Sequence, residues 1–239
     1  MKKIVLTSMI AASALFAATD AQILGFYKQI VPQGVNVEIS SRHKLSDHQE
    51  YEAVVLTLNN GSISQDEIIF TKGDLLLPDI LDLKTGKSYK GELQEQMMIT
   101  KLSAIYKNED AANIIRLGND SKKATRVMFS DPECPYCREE LKNIEKTLQN
   151  ENLKIILTPV HDKSALEKSY LIYKDLKSVK SDSDKVKVLR KYFAENFKVP
   201  EHSVTDEQVA QMDNLRRKYL LAGLRSVPFF VDETILTKK

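Results

Sequence analysis

The sequence predicts an α+β protein in which a small N-terminal domain is joined through a helix to a larger domain. Apolar and polar residues alternate over much of residues 35–70, which is typical of half-buried strands. Within residues 91–117, apolar residues recur at helical spacing in a stretch without proline. Beyond residue 118, apolar runs alternate with segments of helical periodicity, which indicates a second sheet covered by helices.

Composition argues against two classes of partner. The chain of 239 residues is 42% hydrophobic and 28% charged, as expected for a soluble protein with one large or two small domains. Its 35 basic and 33 acidic residues are well mixed and leave a formal net charge of +2. The sequence therefore predicts neither nucleic-acid binding nor lasting association with a membrane surface.

The N-terminus has the pattern of a secretory signal peptide. A basic start at residues 1–3 precedes an apolar run over 4–18 that is short and rich in small residues. We expect a signal peptide over residues 1–21, cleaved after Ala21; a retained anchor helix is the alternative, although such a run is short for a bilayer. Export would place the protein where disulfides persist.

Residues 22–90 predict a small α+β domain without catalytic residues. An Asn-Gly pair favours the positive φ of a tight turn between two alternating runs, which therefore form a hairpin. So small a segment buries little core alone, which favours assembly. The predicted elements are a helix over 21–30, a strand over 35–39, hairpin strands over 51–58 and 63–70, and a kinked apolar segment over 75–83.

The helix within residues 91–117 is predicted to extend from Gly91 to Ala112 as a stiff linker, and an ordinary packed helix fits its periodicity equally well. Residues 118–239 then form the larger domain. We expect N-caps at Asp182 or Ser183 and at Thr205, and a C-cap at Gly223. The expected elements are strands over 125–129 and 153–158, helices over 163–177, 183–197 and 205–223, and a final strand from Pro228.

Cys134 and Cys137, the only cysteines of the chain, lie where the strand over 125–129 turns into a helical pattern. The free N–H groups and dipole of a helix N-terminus favour the thiolate form of Cys134, which makes it the nucleophile. Cys137, one turn later, can attack a mixed disulfide on Cys134 and release the partner. Pro135 supports the helix start by fixing φ.

Two other interpretations of the cysteine pair are weaker. A zinc site needs further ligands, and the histidines His43, His48, His161 and His202 are scattered without metal-ligand spacing. A structural disulfide closing so short a loop would constrain the unfolded chain little. The sequence therefore predicts a redox-active dithiol with no metal and no cofactor.

Pro228 precedes an apolar run, and a proline is permitted at the start of a strand for steric reasons alone. The functional interpretation is a cis bond between Val227 and Pro228 beside the cysteines, where Val227 offers its backbone to an extended substrate.

Together, Phe-Ser-Asp-Pro-Glu-Cys-Pro-Tyr-Cys over 129–137 and Gly-Leu-Arg-Ser-Val-Pro-Phe-Phe-Val over 223–231 resemble the DsbC/DsbG thiol-disulfide isomerases. The resemblance implies a periplasmic protein with an N-terminal dimerisation domain, a linker helix and a thioredoxin-fold catalytic domain with a helical insertion. It also implies substrate contacts at Pro135, Tyr136, Val227 and Pro228.

Two positions depart from the family pattern. Val227 replaces the threonine usual before the cis-proline and is more similar to the DsbA oxidases, which leaves isomerase-only chemistry open. The chain also ends at Lys239, where the family continues into a closing helix, so we expect that helix to be absent or the sequence to be truncated.

We therefore predict a periplasmic, homodimeric disulfide isomerase that acts on unfolded or misoxidised secreted proteins and exchanges electrons with a membrane redox partner. A dithiol oxidase that introduces disulfides is the second hypothesis. A chaperone-like binder of unfolded secreted chains, with the dithiol accessory, is the third.

Overall fold

The computed structural model describes residues 17–62 and 64–238 and confirms the α+β class. The chain divides into two compact units, Met1–Glu95 and Gln96–Lys239. Among the described residues, no helix combines the length and apolar character needed to cross a membrane.

The first unit contains an antiparallel four-stranded sheet with the order β1-β2-β3-β4. The predicted hairpin is confirmed: Asn59 on one strand is paired with Ser64 on the next, and Gly61 in the turn has a φ of 88°. Only the first residues of the apolar segment over 75–83 form a strand. The elements are α1 (Asp20–Ile30), β1 (Asn36–Lys44), β2 (Glu52–Asn59), β3 (Ser64–Lys72) and β4 (Leu75–Leu77).

Helix α1 begins with a capping box, in which Thr19 and Gln22 satisfy each other's free backbone N–H groups. Its Ile23 and Tyr27 are buried in a small core against β2 and β3. The predicted signal peptide over 1–21 lies outside the described residues as far as residue 16. A cut after Ala21 would fall inside α1 and would remove its N-cap.

Helix α2 (Tyr89–Tyr106) begins in the first unit and continues into the second. It ends before Ala112, the predicted end, and a 3₁₀ turn follows at Ala111–Asn113. Leu102 and Tyr106 are buried in the hydrophobic core of the second unit. The C-terminal half of α2 is therefore a packed helix of that unit.

A mixed four-stranded sheet with the order β5-β7-β6-β8 forms the centre of the second unit. The central strands β6 and β7 are parallel, and both outer pairs are antiparallel. The edge strand β5 was not predicted, because its three residues lie in the stretch assigned to the linker. The strands are β5 (Ile115–Leu117), β6 (Thr125–Ser130), β7 (Asn152–Leu157) and β8 (Phe229–Asp232).

The helices of this unit differ from the predictions mainly at their ends. The N-cap of α6 is Ser181, whose hydroxyl accepts from the Asp184 N–H, rather than Asp182 or Ser183. Thr205 caps α7 as predicted, whereas the C-cap of α7 is Ala222, and Gly223 follows it with a φ of 110°. The helices are α3 (Pro135–Lys142), α4 (Ile144–Asn150), α5 (Lys163–Leu176), α6 (Asp182–Phe193), α7 (Asp206–Leu221) and α8 (Glu233–Thr237).

The short helix α8 follows β8 directly, so this strand is followed by a helical segment of five residues. The expectation that the sequence is truncated beyond it stays a prediction. Asp232 at the end of β8 caps α8 by accepting from the Thr234 N–H. Leu236 of α8 is fully buried in the core of the unit.

Phe129 at the end of β6 is fully buried and lies 5.0 Å, centroid to centroid, from the ring of Tyr219 on α7. Because β6 and β7 are parallel, their C-terminal ends lie at the same edge of the sheet, where α3 begins. The core thus anchors the edge at which the cysteines are found.

Candidate active site

The segment between β6 and α3 holds both cysteines. Cys134 is the N-cap residue of α3, with its N–H donating to the Asp131 carbonyl at 3.2 Å. Pro135 occupies the first helical turn, where its missing N–H costs no intrahelical bond. Cys137 lies one turn along on the buried face. The predicted position of the pair at a strand-to-helix junction is confirmed.

The two thiols have different surroundings. Both are free, and Cys134 is 5% exposed whereas Cys137 is fully buried. Burial, together with the neighbouring sulfur of Cys134, raises the pKa of Cys137 well above its ordinary value. Cys134 is therefore the more accessible of the two sulfurs, and burial favours the protonated form of Cys137.

The predicted cis bond between Val227 and Pro228 is present beside the cysteines. The Cys134 thiol donates to the Val227 carbonyl across 3.3 Å. These residues come together because β8, which follows Pro228 directly, pairs with β6, which leads into Cys134. Tyr136 between the two cysteines is 74% exposed. The structure thus gathers the predicted site residues at one place.

Asp131, which the sequence analysis did not single out, organises the loop before Cys134. Its side chain is fully buried and accepts from the backbone N–H groups of Glu133 at 2.7 Å, Val160 at 2.8 Å and His161 at 3.1 Å. The Nδ1 of His161 also donates to it across 2.6 Å. Asp131 therefore ties the end of β6 to the segment that follows β7.

Glu133, directly before Cys134, forms an ion pair with Lys168 of α5 across 3.1 Å. The Lys168 side chain is only 7% exposed, which is rare for a lysine unless it is paired. A charged pair thus lies next to Cys134 in sequence and is largely removed from solvent.

The sequence contained an indication for His161, which contacts Asp131, and for Lys168, which pairs with Glu133. His161 follows the second predicted strand, and the ends of neighbouring parallel strands meet at one edge. Lys168 falls at helical spacing between the apolar residues Ala165 and Ile172, a position that faces the core. Nothing in the local pattern, however, identified the partner of either residue.

Among residues 17–62 and 64–238, no three His, Cys, Asp or Glu side chains lie together as metal ligands would. What the site offers is a reachable sulfur and a buried sulfur one helical turn apart, beside a backbone carbonyl that already accepts from the first sulfur. Such an arrangement can form and resolve a mixed disulfide.

No protein-family model matches the chain, and no curated protein matches it significantly. Solved structures do match it. The structure of Helicobacter pylori DsbG has a TM-score of 0.54 at 17% identity and covers 90% of this chain and 100% of its own. The catalytic domain of Proteus mirabilis ScsC has a TM-score of 0.42 at 17% identity, covering 59% and 96%. A disulfide interchange protein of Neisseria gonorrhoeae has a TM-score of 0.36 at 21% identity, covering 52% and 81%.

The match to Helicobacter pylori DsbG shows that the two chains share a fold. The predicted resemblance to the DsbC/DsbG proteins and the predicted α+β architecture with a thioredoxin-fold domain are thus supported at the level of the fold.

Proposed function

We propose that this protein, which has the fold of Helicobacter pylori DsbG, is a periplasmic thiol-disulfide oxidoreductase and most simply a disulfide isomerase of secreted proteins. The observation that carries the proposal is the asymmetry of the two thiols. Cys134 sits at a helix N-terminus within reach of a substrate, and Cys137 is fully buried one turn behind it. A purely structural disulfide between these cysteines would not require one sulfur to be more accessible than the other.

The chemistry follows from these positions. The Cys134 thiolate attacks a substrate disulfide, forms a new S–S bond to one substrate sulfur and releases the other as a thiolate. In isomerisation, that thiolate or another substrate thiol attacks the mixed disulfide and regenerates Cys134. In net reduction, Cys137 attacks the Cys134 sulfur, the substrate leaves as a thiol, and the pair becomes a disulfide.

Substrate is proposed to bind as an extended segment across the cysteines. The Val227–Pro228 backbone lies beside the Cys134 sulfur and offers main-chain groups to such a segment. The exposed ring of Tyr136 provides apolar contact area, together with Pro135 and with Val160, which is 40% exposed. Contacts of this kind accept many sequences, as a protein acting on varied clients requires.

The N-terminal region is proposed to form a homodimer. The described part of the first unit exposes large apolar side chains, including Leu83 at 95%, Leu75 at 64% and Leu81 at 62%. Such side chains are common at protein–protein contacts. We propose that residues 22–90 dimerise, that the helix within 91–117 connects them, and that residues 118–239 carry the chemistry.

A dithiol oxidase is the second candidate. It is favoured by Val227, because a valine before the cis-proline is more similar to the DsbA oxidases than the threonine usual in the isomerases. The two differ in resting state: an isomerase is kept reduced by its membrane redox partner, whereas an oxidase is kept as the disulfide. Trapping the thiols in cells with an alkylating reagent would distinguish them. Substrate binding that survives loss of both cysteines would instead favour a chaperone-like binder.

Exchange of either kind is tested by removing each cysteine. We expect Cys134→Ser to abolish exchange, because it removes the nucleophile. We expect Cys137→Ser to accumulate mixed disulfides on Cys134, because the intramolecular thiol that would resolve them is missing. Non-reducing gels and intact-mass measurements of acid-quenched samples would show the trapped partners. Equal loss in both variants with no trapped partner would contradict these roles.

A further inference from the structure

The hydroxyl of Ser130, the last residue of β6, is buried without a partner. Its Oγ has essentially no exposed surface and makes no well-directed hydrogen bond with any group in the described part of the chain. A buried polar group left unpaired costs about 1–3 kcal/mol, and for that reason such groups are few in native proteins. A hydroxyl retained in this condition calls for an explanation.

The group whose charge this hydroxyl can influence is the Cys137 thiol. Ser130 is among the groups that lower the pKa of Cys137, because a hydrogen bond from its hydroxyl would favour the thiolate over the thiol. As a thiol, Cys137 is a poor acceptor and leaves Ser130 unsatisfied. As a thiolate, it is a strong acceptor for the same O–H.

We infer that Ser130 is a catalytic hydrogen-bond donor, whose O–H stabilises the negative charge that develops on Cys137 while it resolves the mixed disulfide. The inference rests on the proposed function. In this step the Cys137 sulfur bonds to the Cys134 sulfur, and the bond from Cys134 to the substrate breaks with its electron pair on the substrate sulfur. The Cys137 proton ends on the released substrate thiol. Ser130 keeps its own proton and donates only a hydrogen bond.

Among the other groups that act on Cys137, the Asp131 backbone also favours the thiolate, whereas burial and the Cys134 sulfur oppose it. The Asp131 carboxylate accepts from the loop that contains His161. On α6, which packs against α3, Arg190 is bound to Glu145 and to main-chain carbonyls. In the described part of the chain, Ser130 is therefore the side-chain donor that favours the Cys137 thiolate.

The test measures resolution separately from attack in the full-length protein. Reduced protein is mixed with oxidised glutathione, quenched in acid at intervals and weighed intact, so that the thiol, the glutathione adduct and the disulfide are distinguished. We expect Ser130→Ala to form the adduct at the parental rate and to resolve it about tenfold more slowly, from the loss of a hydrogen bond to a charged sulfur. The pH midpoint of resolution should also move upward.

Thr158→Val is the matched control. Thr158 follows β7, is fully buried, and also has a hydroxyl without a partner among the described residues. Its N–H donates to the Ser130 carbonyl, so the two residues are neighbours on adjacent strands. We expect this variant to resolve the adduct at the parental rate.

Thermal unfolding separates a catalytic role from a structural one. Removing an unsatisfied buried hydroxyl should leave the unfolding midpoint of Ser130→Ala unchanged or raise it. A parental adduct lifetime at every pH, an equal slowing in Thr158→Val, or a Ser130→Ala variant that is destabilised or unfolded would overturn the inference. If the parent forms no adduct and Cys137→Ser traps none, the proposed function fails instead.

Discussion

Lys168 carries a positive charge into the interior beside the active-site loop. Its side chain is 7% exposed and has the Glu133 carboxylate 3.1 Å away. Removing one member of such a pair leaves the other charge without compensation, whereas replacing both can be almost neutral. The ion pair therefore limits which residue types are tolerated at position 133, directly before Cys134.

We expect Glu133→Gln to lower the free energy of unfolding by about 2 kcal/mol, because Lys168 then stays buried without a counter-charge. The double variant Glu133→Gln with Lys168→Met should recover most of this loss, since no charge remains buried. Urea denaturation of the single and double variants measures both effects. If the double variant is no more stable than Glu133→Gln, the pair does not contribute in this way.

Among the elements, the segment that follows α2 is held to α7 through Glu109. This carboxylate is 1% exposed and accepts from Lys218 at 2.8 Å, from the Tyr219 hydroxyl at 2.6 Å and from the Asn113 amide at 2.7 Å. Burial alone would raise the pKa of Glu109, but these hydrogen bonds hold it below its ordinary value. The ionised carboxylate thus connects the segment after α2 to a helix that is distant in sequence.

A carboxylate with a lowered folded-state pKa stabilises the fold above its ordinary pKa, and this contribution is lost as the pH falls through the folded-state value. We therefore expect Glu109→Gln to reduce stability at pH 7 by about 1–3 kcal/mol. The difference from the parent should shrink below about pH 4, near the ordinary value of a glutamate. Urea denaturation across this pH range would measure it.

Glu139→Gln is the control for this prediction. Glu139 pairs with Lys142 on the surface of α3, where both side chains are more than half exposed. Surface pairs contribute about 0–1 kcal/mol. A loss in Glu109→Gln that is no larger than in this control, or that persists unchanged in acid, would contradict the role of Glu109.

How far the sequence predicted an element depended on its length and its neighbours. Strand β6 and helix α3 were predicted well, because an apolar run, the cysteines and Pro135 mark their boundary within a few residues. Strand β5 was missed, because three residues show no period and Ile115 and Leu117 become a strand only by pairing with β7. The N-cap of α6 was misplaced since the run 181–184, Ser-Asp-Ser-Asp, consists of good capping residues and only geometry selects Ser181.

At the scale of the whole molecule, the contacts between the site residues could not be predicted from local sequence patterns. The cysteines and Pro228 were found from their own short motifs. The pairing of Lys168 with Glu133, and of His161 with Asp131, depends on how α5 and the end of β7 are brought to the edge of the sheet. Such distant pairings are set by the tertiary arrangement, which no local periodicity records.

The isomerase and oxidase hypotheses differ most clearly in quaternary structure. A dimer would place two active sites around one cleft, hold a misfolded chain through repeated exchange and shield Cys134 from a membrane oxidant. We expect the full-length protein to be a dimer and a fragment starting at Gln96 to be a monomer. The fragment should keep dithiol exchange, lose isomerisation of scrambled disulfides and be oxidised faster.

Analytical ultracentrifugation and refolding of a scrambled client would measure these properties. The fragment starts at Gln96 because one starting at Gly118 would lack Leu102 of α2 and the strand β5, both parts of the core and sheet of the second unit. A monomeric full-length protein, or isomerisation unchanged in the fragment, would favour the oxidase.

Because Cys137 is fully buried, the rate at which it reacts with a thiol reagent can measure local opening of the structure around α3. We expect a maleimide to label Cys134, which is 5% exposed, before the fully buried Cys137, which becomes accessible only when α3 separates from β6. With Cys134 already blocked, the rate of the second labelling counts these openings, and its dependence on denaturant shows whether they are local or global. The two native cysteines can thereby report how often helix α3 opens, without an added probe.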